Sequence, residues 1–141
     1  MDNLKTGDLL LFSGHTNGWL KYFSSMIEYT THSNYSHIGM IIKDPSFISP
    51  SLKGTYVWES GWEGEYDPQD NKIKLGVQIT PLSEILENFK GSKVIARQIN
   101  CPNNTFTDEK LKEIHSIVYD KPYDIIPKDW IEAFFRKDGE P

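Results

Sequence analysis

The chain has 141 residues and one cysteine, Cys101, which excludes an internal disulfide and any multi-cysteine metal site. It has no apolar run of the length needed to cross a bilayer, and its start, M-D-N-L-K-T-G-D, lacks the basic and apolar blocks of a signal peptide. The expectation is a cytoplasmic protein, or one of the virion or host cytoplasm if the source is viral, with no transmembrane segment and a peripheral membrane contact left open. A surplus of positive charge is also missing. The net charge is −5 and the lysines stand among acids, so there is no basic stripe for a phosphate backbone, and nucleic acid is not an expected partner. His15, His32 and His37 have neither helical nor CxxC-type spacing, and the acids between Gly61 and Asn71 do not follow the EF-hand pattern. No metal and no cofactor is expected, and the acidic stretch reads as a solvated loop.

What is present is enough for one core. Hydrophobic residues make up 38% and charged residues 25%, which is the balance of a folding domain rather than of a disordered tail, and the length suits one domain over residues 1–141. Gly7–Phe12, G-D-L-L-L-F, reads as a strand buried on both faces, and Trp19, Leu20, Phe23, Met26 and Ile27 recur at helical spacing. Strands are also predicted over His37–Ile42, Thr55–Glu59, Ile73–Ile79 and Val94–Ile99. In the fourth of these, Lys74, Gly76 and Gln78 take the solvent side. Thr80 is expected to cap a short helix carrying Leu82, Ile85, Leu86 and Phe89, and Thr107 a second one with Leu111, Ile114, Ile117 and Val118 on one face. A fourth helix starts at Pro127 and carries Trp130, Ile131, Phe134 and Phe135, an aromatic load that suggests more protein packing against it. The fold class is therefore α+β, a small antiparallel sheet or partial barrel packed with helices.

One stretch carries chemistry. In N-Y-S-H-I-G-M-I-I, over Asn34–Ile42, a histidine stands where a loop becomes a core strand, so an ionisable ring is anchored at a rigid edge. Taken alone, such a residue is more often structural. A hairpin between this strand and Thr55–Glu59 changes the weighting, because a register with His37 opposite Glu59 puts both on one face. Ile38, Met40, Tyr56 and Trp58 then point to the other face, towards a core.

Leu4–Phe12, then Tyr35-Ser36-His37-Ile38-Gly39, then Trp58-Glu59-Ser60, then Lys121-Pro122-Tyr123-Asp124 form an ordered set. This set resembles the circularly permuted papain-like hydrolases of the NlpC/P60 superfamily, in the branch often called YiiX or YaeF-like. The likeness covers the chain from Leu4 to about Phe135. It implies a Cys-His-Glu device in which permutation places the histidine before the cysteine, with His37 matching the family histidine and Glu59 its polar partner. His37 would take the thiol proton, and Glu59 would hold the ring tautomer. In the family the cysteine follows the Tyr-Asp segment at a helix start, and none stands there in this sequence. Cys101 lies before the Thr107 helix and reads as structural or incidental. The expectation is a domain lacking its C-terminal nucleophile segment, or else a degenerate one.

Two functional classes follow. One is a thiol hydrolase or acyltransferase, with His37 and Glu59 catalytic, acting on peptide, N-acyl or lipid substrates through an acyl-enzyme. The other is an inactive binding module that uses Trp19, Trp58, Trp62 and Tyr66 for an acyl chain or peptide. Substrate choice and oligomeric state are not written in the sequence.

Overall fold

A computed structural model describes residues 3–13, 37–62 and 64–122, with the side chain of Trp62 left aside. The helix expected over Trp19–Ile27, the loop Thr30–Ser36 and the aromatic helix from Pro127 lie outside the described residues. Five strands, β1 (Leu9–Ser13), β2 (His37–Lys43), β3 (Thr55–Trp62), β4 (Leu75–Pro81) and β5 (Lys93–Arg97), form one antiparallel sheet in the order β4-β3-β2-β1-β5. Among the described residues two helices accompany it, α1 (Leu82–Asn88) and α2 (Asp108–Val118). The fold is α+β. Among the described residues β4 and β5 are the outer strands of an open sheet, with no pairing that closes a barrel.

Both faces of the sheet are packed. Leu10, Phe12, Ile41 and Val57 share one face with Leu4, Ile85 and Phe89, so α1 covers that side. Ile42, Tyr56, Trp58 and Ile79 share the other with Leu52 and Leu111, so the β2–β3 connection and α2 cover it. This explains the run of strands without a polar side: a sheet covered twice needs apolar residues at both parities.

The motif Gly7-Asp8 proves to be a structural bolt. Gly7 sits at φ +99 with the Phe106 ring against its Cα, so a side chain there is excluded by both conformation and space. Its N–H donates to the Ile41 carbonyl at 2.9 Å, and the Ile41 N–H to the Asp8 carbonyl at 2.8 Å, which extends the β1–β2 pairing past Leu9. The fully buried Asp8 carboxylate accepts from the Lys5 N–H (2.9 Å), the Lys5 Nζ (2.7 Å) and the Ile99 N–H (3.1 Å), joining the start of β1 to the exit of β5. Burial by itself raises the Asp8 pKa, but these donors outweigh it and hold the group below its ordinary 3.8.

Several expectations are corrected. β4 starts at Leu75 rather than Ile73, which is exposed, and Gln78 and Gly76 are buried rather than on a solvent face. Thr80 and Pro81 belong to β4, so Thr80 caps nothing. It is buried, its hydroxyl lacks a partner among the described residues, and Pro81 takes the N-cap position of α1 without a side-chain bond. Thr107 does cap α2, accepting from the Lys110 N–H at 3.3 Å. On that helix only Leu111 is buried, while Ile114 and Ile117 face outward. Ile38 is likewise exposed rather than in the core, because α2 and the β2–β3 connection cover the β2–β3–β4 side of their face and stop short of it.

Candidate active site

The geometry of the site follows from the sheet lattice. β2 and β3 pair with Gly39 opposite Glu59, Met40 opposite Trp58 and Ile41 opposite Val57, two residues away from the register expected from the sequence. A shift of two preserves parity, so His37 and Glu59 still share a face. They meet on a diagonal, with His37 Nε2 3.2 Å from Glu59 Oε2, rather than directly across. The remaining two corners of this four-residue patch are glycines: Gly39 lies opposite Glu59, and the same register continued puts Gly61 opposite His37. A Cβ on Gly61 would stand 3.2 Å from His37 Cε1, tighter than ordinary contact, and a Cβ on Gly39 would collide with Val57 Cγ1. The missing side chain at Gly61 gives the ring room to lean across.

The face is also not the polar one expected. His37 stands at the margin of the α1-side core, with Phe12 beside it in β1 at 5.3 Å between ring centres and Phe89 stacked parallel at 6.1 Å. The side chain of Glu59 is fully buried and that of His37 retains 15% exposure, so the carboxylate is interior and the ring lies between it and solvent. An ionised carboxylate only accepts hydrogen bonds. With Glu59 ionised, the contact puts the proton of a neutral His37 ring on Nε2. Packing on two phenyl rings fixes the ring plane. Chemically, this is an oriented imidazole backed by a buried carboxylate, the pairing that a general base needs.

Sequence reasoning overlooked the third polar member. Gln78 is directly opposite Glu59 in the β3–β4 register, is 1% exposed, and donates from Nε2 to the Gly61 carbonyl at 2.7 Å and the Lys74 carbonyl at 3.2 Å. Parity could have found it, since any residue opposite Glu59 on β4 must share its face. H-x-G at His37-Ile38-Gly39 with E-x-G at Glu59-Ser60-Gly61 was the second available signal.

The other singled-out residues do not converge on His37. β5 begins in the row of His37, at Val94 beside Phe12, and runs away from it. Ile99 is already bonded to Asp8, so Cys101 lies past the far end of the strand, and Val94 to Gln98 alone spans about 13 Å at ~3.3 Å per residue. Cys101 is a partly buried free thiol at the opposite end of the sheet. Trp58 points to the α2 side against Phe47 and His115, and Tyr66 is exposed in the β3–β4 loop. Trp19, His15, His32, Tyr123 and Asp124 lie outside the described residues. The Lys121-Pro122 run, however, docks along β4: the Val77 N–H donates to the Lys121 carbonyl at 2.8 Å and Pro122 bridges to Gly76. Gly76 is opposite Gly61, so Pro122 ends a row running Val94, Phe12, His37, Gly61, Gly76, Pro122.

The acid-rich loop is solvated at Gly64, Glu65, Tyr66, Pro68 and Asn71, as expected, but turns Asp67 inward. Asp67 is buried, accepts from the Gln69 N–H and side-chain amide, and lies 3.1 Å from Lys74 Nζ, which also meets Asp70 at 2.6 Å. Burial alone would lower the Lys74 pKa, but Asp70 and Asp67 hold it above its ordinary value. Tyr119 from the end of α2 donates to Asp70 at 2.8 Å, and His115 Nε2 meets the side-chain Oε1 of Gln69 at 2.7 Å, tying loop to helix. Among the described residues no helix is long and apolar enough to cross a membrane.

Compared with known proteins, the chain matches no protein-family model and no curated protein.

Proposed function

We propose that His37 and Glu59 are the base and orienting carboxylate of a thiol hydrolase of the permuted papain-like NlpC/P60 type, acting on amide or ester bonds of a peptide, N-acyl or lipid substrate. The observation that carries this reading is the 3.2 Å contact between a fully buried Glu59 carboxylate and a partly open His37 ring. Two phenyl rings pack on that ring, and Gly61 leaves room beside it. The order of motifs adds support: Lys121-Pro122, which opens the K-P-Y-D run, reaches the sheet in the row of His37. In the proposed chemistry His37 Nδ1 takes the proton from a thiol, the thiolate attacks the carbonyl carbon, and the imidazolium returns the proton to the leaving amine or alcohol. Water then resolves the thioester by the same base.

Cys101 is too far along β5 to supply that thiol, which favours a second reading in which the 141 residues bind an acyl or peptide ligand without turning it over. Chemical rescue separates the two. A small thiol is supplied in solution with an activated acyl ester, and thioester formation is followed with and without the protein. On the first reading the protein accelerates thiolysis, His37→Ala abolishes the acceleration, and Cys101→Ser leaves it intact; general-base assistance is worth roughly 10²–10⁴-fold when fully developed. Thiolysis that is indifferent to His37, together with saturable binding of the ester, would establish the binding module instead.

A further inference from the structure

A Cβ at position 61 would crowd the His37 ring at 3.2 Å, and the glycine that avoids this creates a mechanical problem at the same spot. Gly61 faces Gly76, and Gly76 must itself be glycine because Lys121 and Pro122 lie against its Cα. Two glycines facing each other have no side chains to pack and the widest backbone freedom, so this end of the β3–β4 pair is the weakest part of the ladder. It is also where Glu59 must be held still. Gln78 answers this position. Its side-chain amide donates to the Gly61 carbonyl at 2.7 Å, to the Lys74 carbonyl at 3.2 Å and, more weakly, to the Gly76 carbonyl at 3.4 Å, which laces the two glycines together. Its own Cα is opposite Glu59, so the two residues share one face of the sheet.

We propose that Gln78 is a positioning residue for the His37–Glu59 pair, clamping the Gly61–Gly76 strand end that carries it. The inference takes that pair as the functional unit proposed above, but its test does not use turnover. The nitrogen-15 signals of the His37 ring report both the tautomer and the titration midpoint of the full chain. In Gln78→Met, which keeps the length of the side chain and removes its donors, the proportion of the ring protonated on Nε2 should fall, and the midpoint should move by about half a pH unit or more, a threefold change in proton affinity. Gln78→Asn keeps the amide and should restore part of the tautomer preference. Leu111→Ala, a core truncation on the other sheet face, should lower stability while leaving the His37 signals in place. The proposal is overturned if Gln78→Met folds with His37 signals superimposable on those of the unaltered protein. It is equally overturned, should that variant not fold, if the unaltered protein shows no through-bond coupling between the Gln78 side-chain N–H and the Gly61 carbonyl carbon. Failure of the thiolysis experiment with an altered His37 titration would reject the hydrolase reading and keep this one.

Discussion

At the scale of single residues, the site depends as much on missing side chains as on present ones. Gly39 and Gly61 occupy the corners of the patch that His37 and Glu59 cross, and a Cβ would collide with Val57 at the first and crowd His37 at the second. Gly39→Ala would force its Cβ into Val57, which is fully buried, and overpacking of this kind costs about 1–3 kcal/mol. Urea unfolding should show that loss, and the His37 ring signals should shift with it. Asp8 supports a second prediction. Its pKa is lowered in the fold, so it contributes stability above its ordinary 3.8 that is lost as pH falls through its own lower value. Asp8→Asn should destabilise the protein at neutral pH by about 1–3 kcal/mol, since charged hydrogen bonds are replaced by weaker ones, and should flatten the acid limb of a stability–pH profile. Of these residues the sequence disclosed His37 and Glu59, because ionisable groups at a strand edge stand out. It concealed Gln78 and Asp8, because a buried polar side chain and an exposed one are spelled alike until its partners are known.

The elements were legible wherever a local rule governs them. Thr107 with Asp108 and Glu109 marks a helix start by chemistry that needs no tertiary partner, and Thr107→Ala should cost about 1 kcal/mol in thermal or urea unfolding. Thr80-Pro81 carries the same spelling and ends a strand instead, because pairing to β3 outweighs a cap that would serve only a short helix. Face parity in β2 and β3 came out right, since alternation is local. The register missed by two, because nothing local distinguishes a directly opposed His–Glu pair from a diagonal one. On α2, periodicity placed Ile114 and Ile117 in the core, whereas the face that meets the sheet carries Leu111, His115 and Val118. Burial lowers the His115 pKa, the Asp67 carboxylate raising it and the Lys74 ammonium lowering it. A ring kept neutral in the fold loses its contribution as pH falls below the ordinary 6.5 and through its own lower value. Stability should therefore begin to decline on the acid side of 6.5, and His115→Gln should remove that part of the decline while leaving the limb due to Asp8.

For the whole molecule, the sheet divides the protein into a side that holds the site and a side that does not. Ile85 and Leu111 are comparably buried, one under each helix, and truncation of either to alanine should cost about 2–5 kcal/mol. Only Ile85→Ala should disturb His37, because Ile85 shares a cluster with Phe12 and Phe89, the two rings that pack on it. Matched unfolding curves with unmatched His37 spectra would establish this division.

The order of the strands also bears on how the protein comes into being. β1 is made early but lies between β2 and β5, and its bond from Ile99 to Asp8 closes a separation of 91 residues. During synthesis the first strand can find one neighbour soon after β2 emerges. It must then wait for β5 with Leu10 and Phe12 half covered, which is the condition that slows folding and leaves an open edge available to other chains. Asp8 gains its bond from Ile99 only when that residue arrives, so completion of this sheet is tied to β5, the last strand among the described residues.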